Sequence, residues 1–321
     1  MIRTLRYTLV LLITSTFSIF AQQDAQFTQY MYNQLYYNPA FAGSGEGSSL
    51  TAIHRSQWFG YDGSVNQGGA PNTQLISYNA KLEKFKTGLG LYISNDNLGP
   101  SNNFQVQTAL SRNINLPDGS ILTVGINLGF FSSAINFDDI IVVNPGDPIS
   151  NGTGKESQIR PDFGAGIIYR KGKFFGGFSS NHLLQPKFDF GESQVSNQLN
   201  RHYYLTMGYD YSLSPQIKIT PTVLLKSVSL NTYNIDVSVI GEYNNNLRAG
   251  LAYRQSESAS LILGYKILSD RSLTLAYAFD FVVGNRQSKE PTSQELMLIY
   301  NFKSVPGIAG RRIIRTPRFR Y

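Results

Sequence analysis

His54 and Ser56 stand two apart within the extended run 50–58, which places both side chains on one face of a strand. A hydroxyl beside an imidazole is the minimum of a nucleophile–base pair, and ester hydrolysis at a membrane boundary is the chemistry it would perform. A working pair needs a third group to orient the imidazole, and the sequence identifies none, so no catalytic residue is assigned. His182 and His202 complete a set of three histidines without ligand spacing, so no metal site is assigned either. The chain has no cysteine, which removes disulfides, thiolate metal sites, lipid attachment at Cys and Cys nucleophiles. The stretch Gly43-Ser44-Gly45-Glu46-Gly47 lacks the strand–loop–helix setting of a phosphate cradle. No cofactor is expected, and the chain reads as non-enzymatic.

Charge narrows the classes further. The 28 basic and 21 acidic residues give +7, but six of the basic residues sit in the last stretch, 303–321, which has no acidic residue. Arg3 and Arg6 belong to the first 21 residues, which leaves 20 basic against 21 acidic over 22–302. This is a neutral body with a basic tail, and nucleic acid is not an expected partner. Residues 1–21 read as a cleavable secretory leader, with a basic start, an apolar run over 7–20 and the small Ala21 at the cut. That run is too short to favour a transmembrane helix, and no later run reaches the ~18 apolar residues of a span.

What must position any functional group is a series of strands. Leu122, Val124, Ile126, Leu128 and Phe130 alternate with Thr123, Gly125, Asn127 and Gly129. Leu261, Leu263, Tyr265 and Ile267 alternate with Ile262, Gly264 and Lys266, and Leu273, Leu275, Tyr277 and Phe279 alternate with Thr274, Ala276, Ala278 and Asp280. Period-2 alternation is the signature of a strand with two unlike faces. Periodicity alone fits a soluble sandwich or a membrane barrel. The leader, the 20 Tyr and 20 Phe, and the small residues on the second face favour the barrel. The reading is all-β: a transmembrane antiparallel up-and-down barrel of about 14 strands over 49–302, an even number as single-chain bacterial barrels have. Tight periplasmic turns are expected at 170–173, 213–215, 244–246 and 269–271, and longer outer loops at 59–71, 135–159, 183–200 and 284–291.

Residues 22–48 stand apart as a polar-aromatic segment, nearly uncharged and without long alternation. Phe27, Tyr30, Tyr32, Asn33, Tyr37, Asn38 and Pro39 here, with Arg55 and Trp58 at the end of the first strand, are the candidate residues for binding a partner or plugging the lumen. Trp58 also suits an interfacial aromatic belt. Asp236, Asp280 and Glu295 face away from apolar neighbours on their strands, so they are expected to point inward and pair with Lys218, Lys226 or Lys266.

Several motifs carry a resemblance. They are Gln26-Phe27-Thr28-Gln29-Tyr30-Met31 with Tyr37-Asn38-Pro39-Ala40, then Arg55-Ser56-Gln57-Trp58 with Ala70-Pro71-Asn72-Thr73, then Asn95-Asp96 with Gly99-Pro100. His202-Tyr203-Tyr204-Leu205-Thr206 with Gly208-Tyr209, Pro221-Thr222-Val223-Leu224-Leu225-Lys226, Ala276-Tyr277-Ala278-Phe279-Asp280 and Glu295-Leu296-Met297-Leu298 complete the set. In this order the chain resembles the PorP/SprF outer-membrane proteins of the type IX secretion and gliding machinery of Bacteroidetes. Ala25, Gln294 and the basic tail depart from the family pattern. The resemblance implies an integral outer-membrane barrel that partners a large secreted surface adhesin or another type IX cargo, and supports its secretion and anchoring. A core secretion component bridging to periplasmic machinery proteins, and a channel for small or hydrophobic molecules, are the alternatives.

Overall fold

Strands form where the alternation runs unbroken, and they carry Gly125, Asn127, Gly129, Pro161 and Pro221 within them without ending. The computed structural model describes residues 24–45, 47–61, 70–140, 152–190, 195–284 and 289–302. The leader at 1–21, the basic tail at 303–321 and the loop portions 62–69, 141–151, 191–194 and 285–288 lie outside the described residues.

The strands are β1 (Ser49–Ser56), β2 (Asn72–Leu82), β3 (Thr87–Leu98), β4 (Ser101–Asn115), β5 (Ile121–Asn136), β6 (Lys155–Lys171), β7 (Phe174–Asn181), β8 (Lys187–Phe190) and β9 (Val195–Gln198). They continue as β10 (His202–Tyr209), β11 (Tyr211–Ser212), β12 (Ile217–Val228), β13 (Thr232–Tyr243), β14 (Leu247–Arg254), β15 (Ser258–Lys266), β16 (Leu273–Val282) and β17 (Thr292–Asn301). Fourteen of them, β1–β7, β10 and β12–β17, form one antiparallel sheet. It closes because β1 pairs with β17 and β10 pairs with β12. Short β11 continues β10 past Asp210.

Burial settles what periodicity left open. In β5 the small and polar Thr123, Gly125 and Asn127 are buried, while Val124, Ile126, Leu128 and Phe130 are exposed. Leu128 is 62% exposed and Leu251 66%. A soluble sandwich buries its apolar face, so this inverted wall is built for hydrocarbon. Exposed aromatics gather at both rims: Phe174, Tyr211, Tyr243, Tyr265 and Tyr300 at one end, Phe59, Tyr233, Tyr253 and Phe281 at the other. Such girdles mark the two membrane interfaces. No helix among the described residues is long and apolar enough to cross a membrane.

The connections are unequal. The turns at 172–173, 213–216 and 244–246 lie at the same end as Ser49 and Asn301, which pair across the closure. The longer connections, β1 to β2, β5 to β6, β7 to β10 and β16 to β17, leave and rejoin the barrel at the other. One of them holds a hairpin the composition hides. β8 and β9 pair within the expected loop 183–200. Phe188 and Phe190 alternate with Lys187 and Asp189, and both rings are buried with Phe131, Phe137 and Leu199. Four residues of alternation inside a largely polar stretch are too few to read as a strand.

Candidate functional site

The polar-aromatic segment folds as three short turns, 3₁₀ at Tyr30–Tyr32 and Pro39–Phe41 and one α turn at Gln34–Tyr37. Asn38 starts the last of them by accepting the Ala40 backbone N–H at 2.9 Å, with Pro39 supplying the fixed φ of a first helical position. Elements this short have little stability of their own, so the barrel wall must hold them.

Two ionic clusters do so. Asp280 on β16 and Glu295 on β17 face inward beside Arg55 on β1, whose guanidinium lies 2.8 Å from Asp280 Oδ2 and 3.2 Å from Glu295 Oε2. The segment completes the network. The Thr28 and Gln29 backbone N–H groups donate to the two Glu295 oxygens at 2.7 and 2.9 Å, and the Thr28 hydroxyl donates to Asp280 at 2.8 Å. In the second cluster Asp236 pairs with Lys226 at 2.9 Å and with Arg254 at 3.2 Å. Lys226 also donates to Gln26 Oε1 at 2.9 Å, and Arg254 donates to the Phe27 carbonyl at 3.0 Å. All of these charged side chains are buried. Buried charge is costly unless every oxygen and proton is matched, so the two clusters specify where the segment sits.

Between the clusters the Tyr30 hydroxyl reaches Thr222 and Ser238 at 3.0 and 3.1 Å. Tyr36 packs edge-on against Phe27 and Tyr37, with ring centroids 5.2 and 5.1 Å apart, and Tyr37 meets Tyr204 of β10 at 5.2 Å. Further along, Ser179 donates to the Tyr37 carbonyl and Ser111 to the Ala42 carbonyl, both at 2.7 Å.

A third group lies at the start of the segment. Asp24 Oδ1 is 2.8 Å from His182 Nε2, and Asp24 Oδ2 is 2.9 Å from His202 Nδ1. The Tyr204 hydroxyl donates to Asp24 Oδ2 at 2.6 Å, and His182 Nδ1 is 2.9 Å from Asp162 Oδ2. Burial opposes a charge on Asp24, but the His182 and His202 rings hold its carboxyl well below the usual range. Burial likewise opposes a charged His182, yet Asp24 and Asp162 push it up to about 10.

At the short-turn end an open cavity of about 240 Å³ is lined by Met31, Tyr32 and Gln34 of the segment and by Arg170, Glu242 and Arg248 of the wall. Arg248 pairs with Glu242 at 2.7 Å and lies over the Tyr32 ring.

Of the residues singled out from the sequence, Phe27, Tyr30, Asn33, Tyr37, Asn38, Pro39 and Arg55 are buried together in this assembly, and Tyr32 is half-buried above the cavity. Trp58 is elsewhere: it follows β1 at the long-loop end, with φ of 53°, against Tyr61 and Lys289. The inward acids pair differently from expectation. Lys226 meets Asp236, but Asp280 and Glu295 take Arg55, while Lys218 pairs with Asp210 at the rim and Lys266 bonds Asn245. A planar guanidinium bridges two carboxylates at once, which a lysine ammonium does less well. His54 and Ser56 face outward, 3.4 Å apart, and among the described residues no carboxylate orients the ring. Sequence reasoning missed Asp24, Asp162 and Arg254, and it set aside His182 and His202. Alternation does mark Arg254 as inward, but nothing local links residues 158 positions apart, as Asp24 and His182 are.

Close approach makes one substitution decisive. A Cβ on Gly88 of β3 would collide with the Ala42 carbonyl, whereas at Gly241 it would meet only an ordinary contact of 3.6 Å. Gly88→Val is expected to cost about 1–3 kcal/mol by forcing the segment off the wall. Gly241→Ala is expected to cost less than about 1 kcal/mol. Urea unfolding midpoints of the two variants check this, and equal midpoints would refute the contact.

Comparison with known proteins follows the same lines. The family described as "Type IX secretion system membrane protein PorP/SprF" matches residues 19–300. No curated protein matches the chain in sequence. Among solved structures, the CymD monoaromatic hydrocarbon channel is 13% identical, covering 86% of this chain and 93% of its own, with a TM-score of 0.49. A Pseudomonas aeruginosa FadL homologue is 15% identical over 83% of this chain and 93% of its own, at 0.45. The Acinetobacter baumannii outer membrane protein Omp33 is 8% identical over 80% and 98%, at 0.44. At these values the likenesses say nothing about what this chain carries or binds.

Proposed function

The chain belongs to the PorP/SprF family of type IX secretion system membrane proteins, and from that premise we propose that this non-enzymatic outer-membrane barrel works by contact, its lumen plugged by residues 22–48. The observation that carries this reading is the seating of Thr28, Gln29 and Phe27 on two buried ionic clusters of the wall. A lumen filled that way leaves the rims as the working surfaces. In this reading the leader over 1–21 is removed on export and the long connections face the cell exterior. The short turns and the cavity beside Tyr32 then face the periplasm.

The family description names the secretion system and no cargo. A component that helps type IX cargo across or onto the membrane, in contact with periplasmic machinery, is therefore the broader reading. Anchoring of one surface protein, a gliding adhesin, is the narrower one. A channel for small or hydrophobic molecules is the rival, and it requires the segment to leave the lumen.

Surface and medium proteomes of cells with and without the gene test all three. Loss of one large surface protein, with other type IX cargo unchanged, supports the anchor. Loss of every cargo supports the general component. Unchanged cargo in both fractions overturns the secretion reading and leaves the channel.

A further inference from the structure

We infer that Asp24, His182 and His202 form a binding site for one divalent transition-metal ion of the zinc class, which clamps the start of the N-terminal segment to the barrel wall. Their ligand atoms lie within 4.8 Å of one another. His182 Nε2 and His202 Nδ1 stand 2.8 and 2.9 Å from the two Asp24 oxygens. Tetrahedral zinc with bonds of ~2.0–2.1 Å separates its ligand atoms by ~3.3 Å, so each imidazole–carboxylate contact opens by about half an ångström while the farther atoms, within 4.8 Å, close.

The His202 ring is buried, with Nδ1 2.9 Å from Asp24 Oδ2 and Nε2 without a hydrogen-bond partner among the described residues. A buried imidazole with only one nitrogen engaged is held weakly enough to turn toward an ion. A cavity of about 10 Å³ lies on the His202 side of Asp24, lined by Asp24, Tyr37, His202, Tyr204 and Lys226 and not by His182. That is room on the scale of a single water or ion. Lys226 is already committed to Asp236 and Gln26.

The surroundings are those of a supported ligand set. Asp162 Oδ2 accepts from Gln107 at 2.7 Å and sits 2.9 Å from His182 Nδ1. A carboxylate on one ring nitrogen fixes the tautomer and leaves Nε2 to bind. Tyr204 holds Asp24 Oδ2 from the other side. Two imidazoles and one carboxylate suit zinc, whereas magnesium and calcium prefer oxygen alone. Coordination would tie the chain at Asp24 to the end of β7 and the start of β10, a cross-link that does not depend on the secretion reading.

The test uses the full mature chain purified in detergent from outer membranes, stripped with chelator, incubated with zinc chloride and desalted. Mass spectrometric metal analysis is expected to give about one zinc per chain, with magnesium chloride in place of zinc giving none. His202→Ala keeps the His182–Asp24 and His182–Asp162 pairs, and is expected to retain less than about a tenth of the zinc while still showing the heat-modifiable migration of a folded barrel. Cobalt(II) should give the visible absorption of a four-coordinate ion in the native protein and not in the variant. If His202→Ala does not fold, Asp24→Asn carries the same comparison. Equal zinc in native and folded variant, or none in the native protein, overturns the site.

Discussion

Deleting residues 24–44 is expected to raise single-channel conductance by about tenfold or more over the native protein. Small eight-stranded barrels are filled by their own side chains, while barrels of 16 strands and more leave an aqueous channel. Fourteen strands fall between, and here many inward side chains are small, such as Thr123, Gly125 and Asn127 of β5, Ser258 and Ser260 of β15 and Ala276 and Ala278 of β16, beside larger ones such as Tyr92, Tyr204 and Leu224. What meets them is the segment, through Phe27, Tyr30, Tyr36 and Tyr37. With it gone, Arg55, Asp280 and Glu295 would face water and remain paired, so the barrel is expected to survive the deletion. Planar-bilayer recording decides the matter, with circular dichroism confirming the strand content. Unchanged conductance from a folded deletion variant would remove the plug from the proposed mechanism.

The largest expected stability effect comes from Arg55→Met, at about 3–5 kcal/mol, because it strands two carboxylates in the interior without their cation. The guanidinium touches Asp280, Glu295 and the Thr28 hydroxyl, and its side chain is 1% exposed. Thr28 and Gln29 still donate to Glu295 and Asp280 in the variant, which limits the loss without removing the repulsion between the acids. The triple variant Arg55→Met, Asp280→Asn, Glu295→Gln is expected to recover more than half of that cost, since no unpaired charge remains. Unfolding midpoints followed by heat-modifiable gel migration compare the three proteins. A cost below about 1 kcal/mol for the single variant would mean that water reaches the cluster and that the segment does not seal it.

Much of this arrangement was legible locally. Alternation over 122–130 and 261–267 marks the strands and tells which face is hydrocarbon, because side chains on a strand change face at every residue whatever lies beyond. The same rule marks Asp236, Asp280 and Glu295 as inward. It does not choose their partners. Arg55 is as regular an inward position as Lys218, and only closure of β1 onto β17 brings it opposite Glu295, with which it pairs in register. The β8–β9 hairpin was illegible for the opposite reason, since its alternation is too short to rise above its loop.

By itself, then, the sequence determined the strand series, its two faces, the separate character of residues 22–48 and the family whose motifs it carries, since each is written in neighbouring residues. The tertiary structure alone decided that Thr28 meets Glu295 across 267 positions and that Asp24 lies between His182 and His202. Those meetings depend on how a closed sheet curves its ends together, and no local spacing encodes that curvature.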